Sequence, residues 1–264
     1  MRKHLLSQML NLKTTHKRFL LAALGVLLLT FGVAAAALID DRFADGNSQN
    51  QNLANNSLRL FNGRANTVRT DATGSVAFDV TNAGGSEAVW AYFTNAGTPV
   101  TLGVGDKLSV AMTFSVSGFG GTGQDVRFGV LDSLGTRNTA NLTAGMNDAT
   151  FINDTGYGLQ YYASGTGSPF VVGRRALLTG ANPFNNFGDF ATISTGASGA
   201  TARQALMNDV PYTLSYAITR LTANETQIEA SVTGGALDNL NYQVIDSSIA
   251  PQTTFDYFAF RIAG

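Results

Sequence analysis

The residues of this chain best suited to chemistry stand at every second position of a few short apolar stretches. In the run AVWAYFT, Val89, Ala91 and Phe93 share one face, and Trp90, Tyr92 and Thr94 share the other. The same alternation in DVRFGV turns Arg127 away from Val126, Phe128 and Val130. In GYGLQYY it sets Gln160 and Tyr162 on one side. If these strands are neighbours, Trp90, Tyr92, Arg127, Gln160 and Tyr162 form a shallow platform of aromatic rings, a guanidinium and an amide. Rings of that kind stack on the apolar faces of sugars, while the polar neighbours take the hydroxyls. The expected partner is therefore a polysaccharide or other glycan.

Carboxylates offer two further kinds of chemistry. Asp40, Asp41 and Asp45 cluster near the start of the body, and Asp256 in the last strand could return beside them. Oxygen ligands suit calcium, so Asp41, Asp45 and Asp256 are candidate ligands of a structural Ca2+ ion. The cluster does not follow the calcium-loop pattern of an EF-hand, because Phe43 stands where an oxygen ligand is needed. Glycoside hydrolysis needs a pair of carboxylates, and only Glu87, Glu225 and Glu229 are glutamates, none in a paired-strand motif. Tyr161, Tyr162, Arg127 and Arg174 keep a polysaccharide lyase as the alternative enzyme reading, with tyrosine as both base and acid. A structural or adhesive surface protein is the third reading.

What is missing narrows the field further. There is no cysteine, and both histidines, His4 and His16, precede the body. Nucleophile–histidine pairs, the usual zinc, copper and haem ligand sets, and disulfides are thereby excluded from it. Residues 1–18 carry five Lys or Arg and no acid, residues 19–33 are uncharged and apolar, and Ala34–Ala37 supply small residues. That is a secretory signal of about 37 residues, cleaved near Ala36 or Ala37. Uncleaved, the same segment is long enough to anchor the chain in a membrane. The expected destination is outside the cytoplasm: secreted, periplasmic or at a cell surface. The body, 38–264, retains 12 basic against 18 acidic residues, a net charge of −6. Such a surface does not suit nucleic acid.

The elements that must position these residues are strands. From Val100 to Val116 the chain is apolar at alternate positions, broken only by Gly105-Asp106, which predicts a central strand. Strands are also expected at 57–61, 67–70, 75–80, 88–94, 125–133, 156–163, 169–177, 211–221, 227–232 and 254–262. Leu134–Thr155 and Thr179–Thr201 read as long polar connections, and Ala202–Asp209 as a single helical turn. Short strands, Gly- and Asn-rich turns and no alternating helices predict one all-β domain, an antiparallel sandwich or jelly roll.

The ordered set DRFADG, VGDKLSVAMTFSV, DVRFGVLDS, GYGLQYY, YTLSYAITR, SVTGG and FDYFAFRI resembles the concanavalin A-like lectin/glucanase sandwich, in particular uncharacterised secreted bacterial proteins of that class. The resemblance covers nearly the whole body. It implies the sandwich fold; that fold hosts lectins, carbohydrate-binding modules, hydrolases, lyases and adhesion domains, so the site must choose among them.

Overall fold

The computed structural model describes residues 19–21, 25–30, 36–80, 87–119, 124–143, 146–175, 184, 187–195, 202–238, 240–248 and 250–263. The basic stretch 1–18, with both histidines, and Ala34-Ala35 of the expected cleavage site lie outside the described residues.

Two antiparallel sheets face each other. One has seven strands, in the order Phe190–Thr195, Phe170–Arg175, Thr155–Tyr162, Asp125–Asp132, Tyr257–Ala263, Glu87–Tyr92 and Phe61–Asn62. The other has six: Asn241–Asp246, Glu225–Thr233, Tyr212–Thr222, Lys107–Phe114, Gly25–Thr30 and Ala36–Asp41. This is an all-β, antiparallel sandwich. Two minor sheets join Phe19–Leu21, Ser75–Asp79 and Val68–Ala72, and Thr254–Phe255 with Val100–Thr101.

The period-two strand lies where its pattern requires. Lys107–Phe114 alternates half-buried and buried residues along its length, pairing with Tyr212–Thr219 on one side and Val26–Thr30 on the other. Leu108, Val110, Met112 and Phe114 enter the core between the sheets, opposite Phe128, Tyr157, Leu159, Phe258 and Phe260. Aromatic contacts knit the two layers: Phe114 lies 5.4 Å from Phe260, and Phe128 5.3 Å from Tyr216, between ring centroids. The break before this strand is a turn at Gly105, whose φ of 91° favours a residue without a side chain.

Three expectations need correction. Ala202–Asp209 forms no helix; Asn208 instead bridges Val116, and its side chain accepts from the Phe119 N–H. The expected connection 179–201 contains a strand, Phe190–Thr195, on the edge of the seven-stranded sheet. A further strand, Asn241–Asp246, closes the six-stranded sheet.

The middle strands of the seven-stranded sheet are buried on both faces. Glu87–Tyr92 and Asp125–Asp132 have no exposed residue. Behind the sheet lies a second apolar cluster, including Phe61, Trp90, Tyr92, Met146, Phe151, Phe184, Phe187, Phe190 and Tyr257. Gly129, Gly158 and Gly173 stand side by side across three strands of this face. They floor a trough for the rings of Phe184, Phe187 and Phe190. A Cβ on Gly158 would stand 2.6 Å from the Phe190 ring, and one on Gly173 2.7 Å from the Phe190 Cβ.

Candidate functional site

The alternation read from the sequence puts Trp90, Tyr92, Arg127, Gln160 and Tyr162 on one face of one sheet, and they lie on one face. They do not make an open platform. Trp90 has no accessible surface, and Tyr92, Arg127 and Gln160 are buried. The two connections that read as polar loops contribute Phe151, Phe184 and Phe187, which seal this face. Trp90 stacks on Phe61 at 5.5 Å and meets the edge of Phe151 at 5.5 Å. The Tyr92 hydroxyl accepts from the Asn138 N–H at 3.0 Å, and the Arg137 guanidinium lies 4.5 Å above its ring. Both rings secure the covering segment, and no sugar can reach either one here.

The polar members form one connected network. Tyr162 donates to Gln160 at 3.0 Å, Gln160 donates to Asp125, and Arg127 donates to Asp125 at 2.7 Å and to the Phe184 carbonyl at 2.6 Å. Arg261 donates to the same carbonyl at 2.6 Å. Burial, with Arg127 alongside, lowers the Arg261 pKa to about 10. Arg203 covers the outer ring of the network, 4.0 Å above Tyr162. Arg127 therefore ties down the covering segment through the Phe184 carbonyl, and Tyr162 is half-buried beneath Arg203.

The three candidate calcium ligands do not converge. Asp41 is buried and accepts the N–H groups of Phe43 and Leu58, both at 2.8 Å. Burial raises its pKa despite those bonds. Asp45 accepts from the Asn47 N–H in a local turn. Asp256 is spoken for by Arg137, at 2.8 Å, and by the Ser133 N–H and hydroxyl, at 2.8 and 2.5 Å. Among the described residues no group of three or more His, Cys, Asp or Glu could hold a metal ion.

An open site exists on the other sheet, and the sequence reading missed it. The outer face of the six-stranded sheet carries a cleft of about 580 Å³. Its floor is ordered by strand register. Ala111, Ser215, Ser231 and Asn241 lie abreast in one row, and Ser109, Ala217, Glu229 and Gln243 in the next. Thr113 and Thr213 continue the lattice, their hydroxyls 3.2 Å apart. Lys107 reaches Glu229 at 2.9 Å. The aromatic members of the lining, Tyr216 and Tyr242, are buried and point into the core, so the cleft offers hydroxyls, amides, methyls and a single ion pair. Four adjacent strands at the usual spacing give it a width of about 14 Å, and small side chains keep its floor low. The signal was present in the sequence as the odd positions of Lys107–Thr113, Thr213–Ala217 and Glu229–Ser231. It looked like an ordinary solvent face because no residue there is individually reactive.

No family model matches the chain, and no curated protein matches it. Among solved structures it is similar to the potassium-bound form of the Emp46p carbohydrate recognition domain, at 12% identity over 84% of this chain and 87% of that one, with a TM-score of 0.46. It is also similar to the marine PL-14 alginate lyase from Aplysia kurodai, at 8% identity over 76% and 87% of the two chains, with a TM-score of 0.29. At such identities the likeness is one of sandwich architecture, and the ligands in those names belong to those proteins.

Proposed function

We propose that this protein is an exported, non-catalytic carbohydrate-binding sandwich whose binding surface is the cleft on the six-stranded sheet. The observation that carries this reading is the cleft itself. It is open, about 580 Å³, and lined by Ser109, Ser215, Ser231, Asn241 and Gln243, whose hydroxyls and amides can both give and take hydrogen bonds. Sugar hydroxyls need that dual capacity at close spacing, and a rigid sheet holds it without reorganisation. Ala111 and Ala217 supply flat apolar patches between the polar groups.

Binding fits the lining better than turnover does. Hydrolysis by the usual route needs two carboxylates flanking the scissile bond. Among the lining residues Glu229 is the one acid, and Lys107 already holds it. The leader of residues 1–37 supports delivery outside the cytoplasm, to the periplasm, the cell surface or the medium.

Filling the cleft tests the site. Ser215→Trp and Ser231→Trp put an indole on the floor at exposed or half-buried positions. Each is expected to lower retention on glycan affinity gels about ten-fold or more with the melting temperature little changed. Unchanged retention in both variants would move the site elsewhere on the molecule.

A further inference from the structure

The charges around the cleft narrow the class of glycan. This step rests on the cleft being the glycan site. Lys107 and Glu229 are the ionised side chains in its lining, and they face each other at 2.9 Å, each a little over a third exposed. The remaining lining residues are uncharged. A uronate or sulfate group entering the cleft meets Lys107 only in competition with Glu229, whose like charge repels it. The body as a whole is acidic, so its long-range field turns polyanions away rather than steering them in. A cationic sugar meets the converse obstacle, since Lys107 already covers the one carboxylate.

We infer that the cleft selects uncharged, hydroxyl-rich polysaccharide chains, and that the Lys107–Glu229 pair sets this selectivity by cancelling the site's charge. The two side chains act as a neutral unit whose outer atoms still hydrogen-bond to hydroxyls. Without aromatic stacking each sugar contributes only a few net hydrogen bonds, of about 1 kcal/mol apiece. Measurable retention therefore needs a chain laid across several strands rather than a single ring.

The test is affinity electrophoresis of the purified protein in gels containing a neutral glucan or mannan, or alginate, or a sulfated galactan. Runs at about 20 mM and 300 mM salt span the range in which screening of exposed charges becomes strong. The wild-type chain is expected to be retarded by a neutral gel, equally at both salts, and by neither anionic gel. Glu229→Gln unmasks Lys107 and is expected to gain salt-sensitive retardation in alginate of about five-fold. Glu229→Gln changes shape little and sits on the surface; an unchanged melting temperature confirms its fold. Salt-sensitive binding of the wild type to the anionic gels would overturn the charge argument and leave carbohydrate binding standing. A Glu229→Gln variant with no gain on alginate would overturn the role of the pair. Retardation in no gel at all would overturn both this inference and the reading beneath it.

Discussion

The Tyr257 hydroxyl donates to Asp154 at 2.5 Å in a setting where neither side chain reaches solvent. The second oxygen of Asp154 has no hydrogen-bond partner. Burial raises the Asp154 pKa to about 7; the Tyr257 bond and Arg175 pull it back, and Asp256 and Asp132 push it up. In the unfolded chain the group titrates near 3.9. Between those values the folded state holds a proton that the unfolded state has released, so this group's contribution to stability falls as pH rises from about 4 to 7. Asp154→Asn keeps an acceptor for Tyr257 and removes the charge. It is expected to raise stability at pH 7.5 by on the order of 2 kcal/mol and to have little effect near pH 4. Denaturant unfolding at the two pH values measures this, and equal effects at both would contradict the assignment.

The single tryptophan gives a second test. Trp90 is fully enclosed between Phe61 and Phe151. Its emission is expected to be blue-shifted, to resist aqueous quenchers, and to stay unchanged on glycan addition. Trp90→Ala is expected to cost about 3–5 kcal/mol of stability. A stable Trp90→Ala protein with selective loss of glycan binding would return the site to that face.

Calcium provides a third. Asp256 takes Arg137 and Ser133 in place of a metal. Adding calcium or a chelator is expected to leave the melting temperature where it was. Asp256→Ala is expected to cost about 3–5 kcal/mol, because it takes the carboxylate from the half-buried Arg137 and leaves the buried Ser133 N–H and hydroxyl without their acceptor. Stabilisation by calcium that disappears in Asp41→Asn would restore the metal reading.

Export is the fourth. The secreted chain is expected to begin after Ala36 or Ala37, and intact-mass measurement of protein recovered outside the cytoplasm reads the cut directly. In this structure Gly25–Thr30 pairs with Lys107–Phe114. Removing the leader therefore opens one side of that strand, and its amides there are expected to exchange faster in the exported chain than those bonded to Tyr212–Thr219. A mass that includes residues 19–36 would show that the segment is kept.

Much of the fold was legible because period two survives in single strands. Lys107–Phe114 and Asp125–Asp132 carry their inward faces in plain view. Alternation also placed Trp90, Tyr92, Arg127 and Gln160 on a common face. It could not show that the face is covered, because the cover is non-local. Phe151, Phe184 and Phe187 come from connections whose composition is dominated by Thr, Asn, Ala and Gly, and a few large rings in such a stretch give no periodic signal. The strands Phe190–Thr195 and Asn241–Asp246 were obscured for a similar reason, being short and set among turn residues. The cleft was hidden differently. Its floor is made largely of Ser, Ala, Thr, Asn and Gln on alternate positions of four strands, and only the pairing register brings them side by side.

The glycine row has a consequence for how this protein can change over generations. A Cβ on Gly129, Gly158 or Gly173 would clash with Phe184, Phe187 or Phe190, which come from the connection over this face and the edge strand it leads into. A single mutation to alanine or valine there overpacks the trough and costs roughly 1–3 kcal/mol. A smaller ring at Phe184 or Phe190 leaves a void of similar cost. Neither step is favourable alone, yet the two together restore the fit. The strands and the loop are thus bound to drift as a unit: inheritance at position 158 depends on what stands at 187 and 190. Descendants of this chain should carry matched changes at these sites, or none.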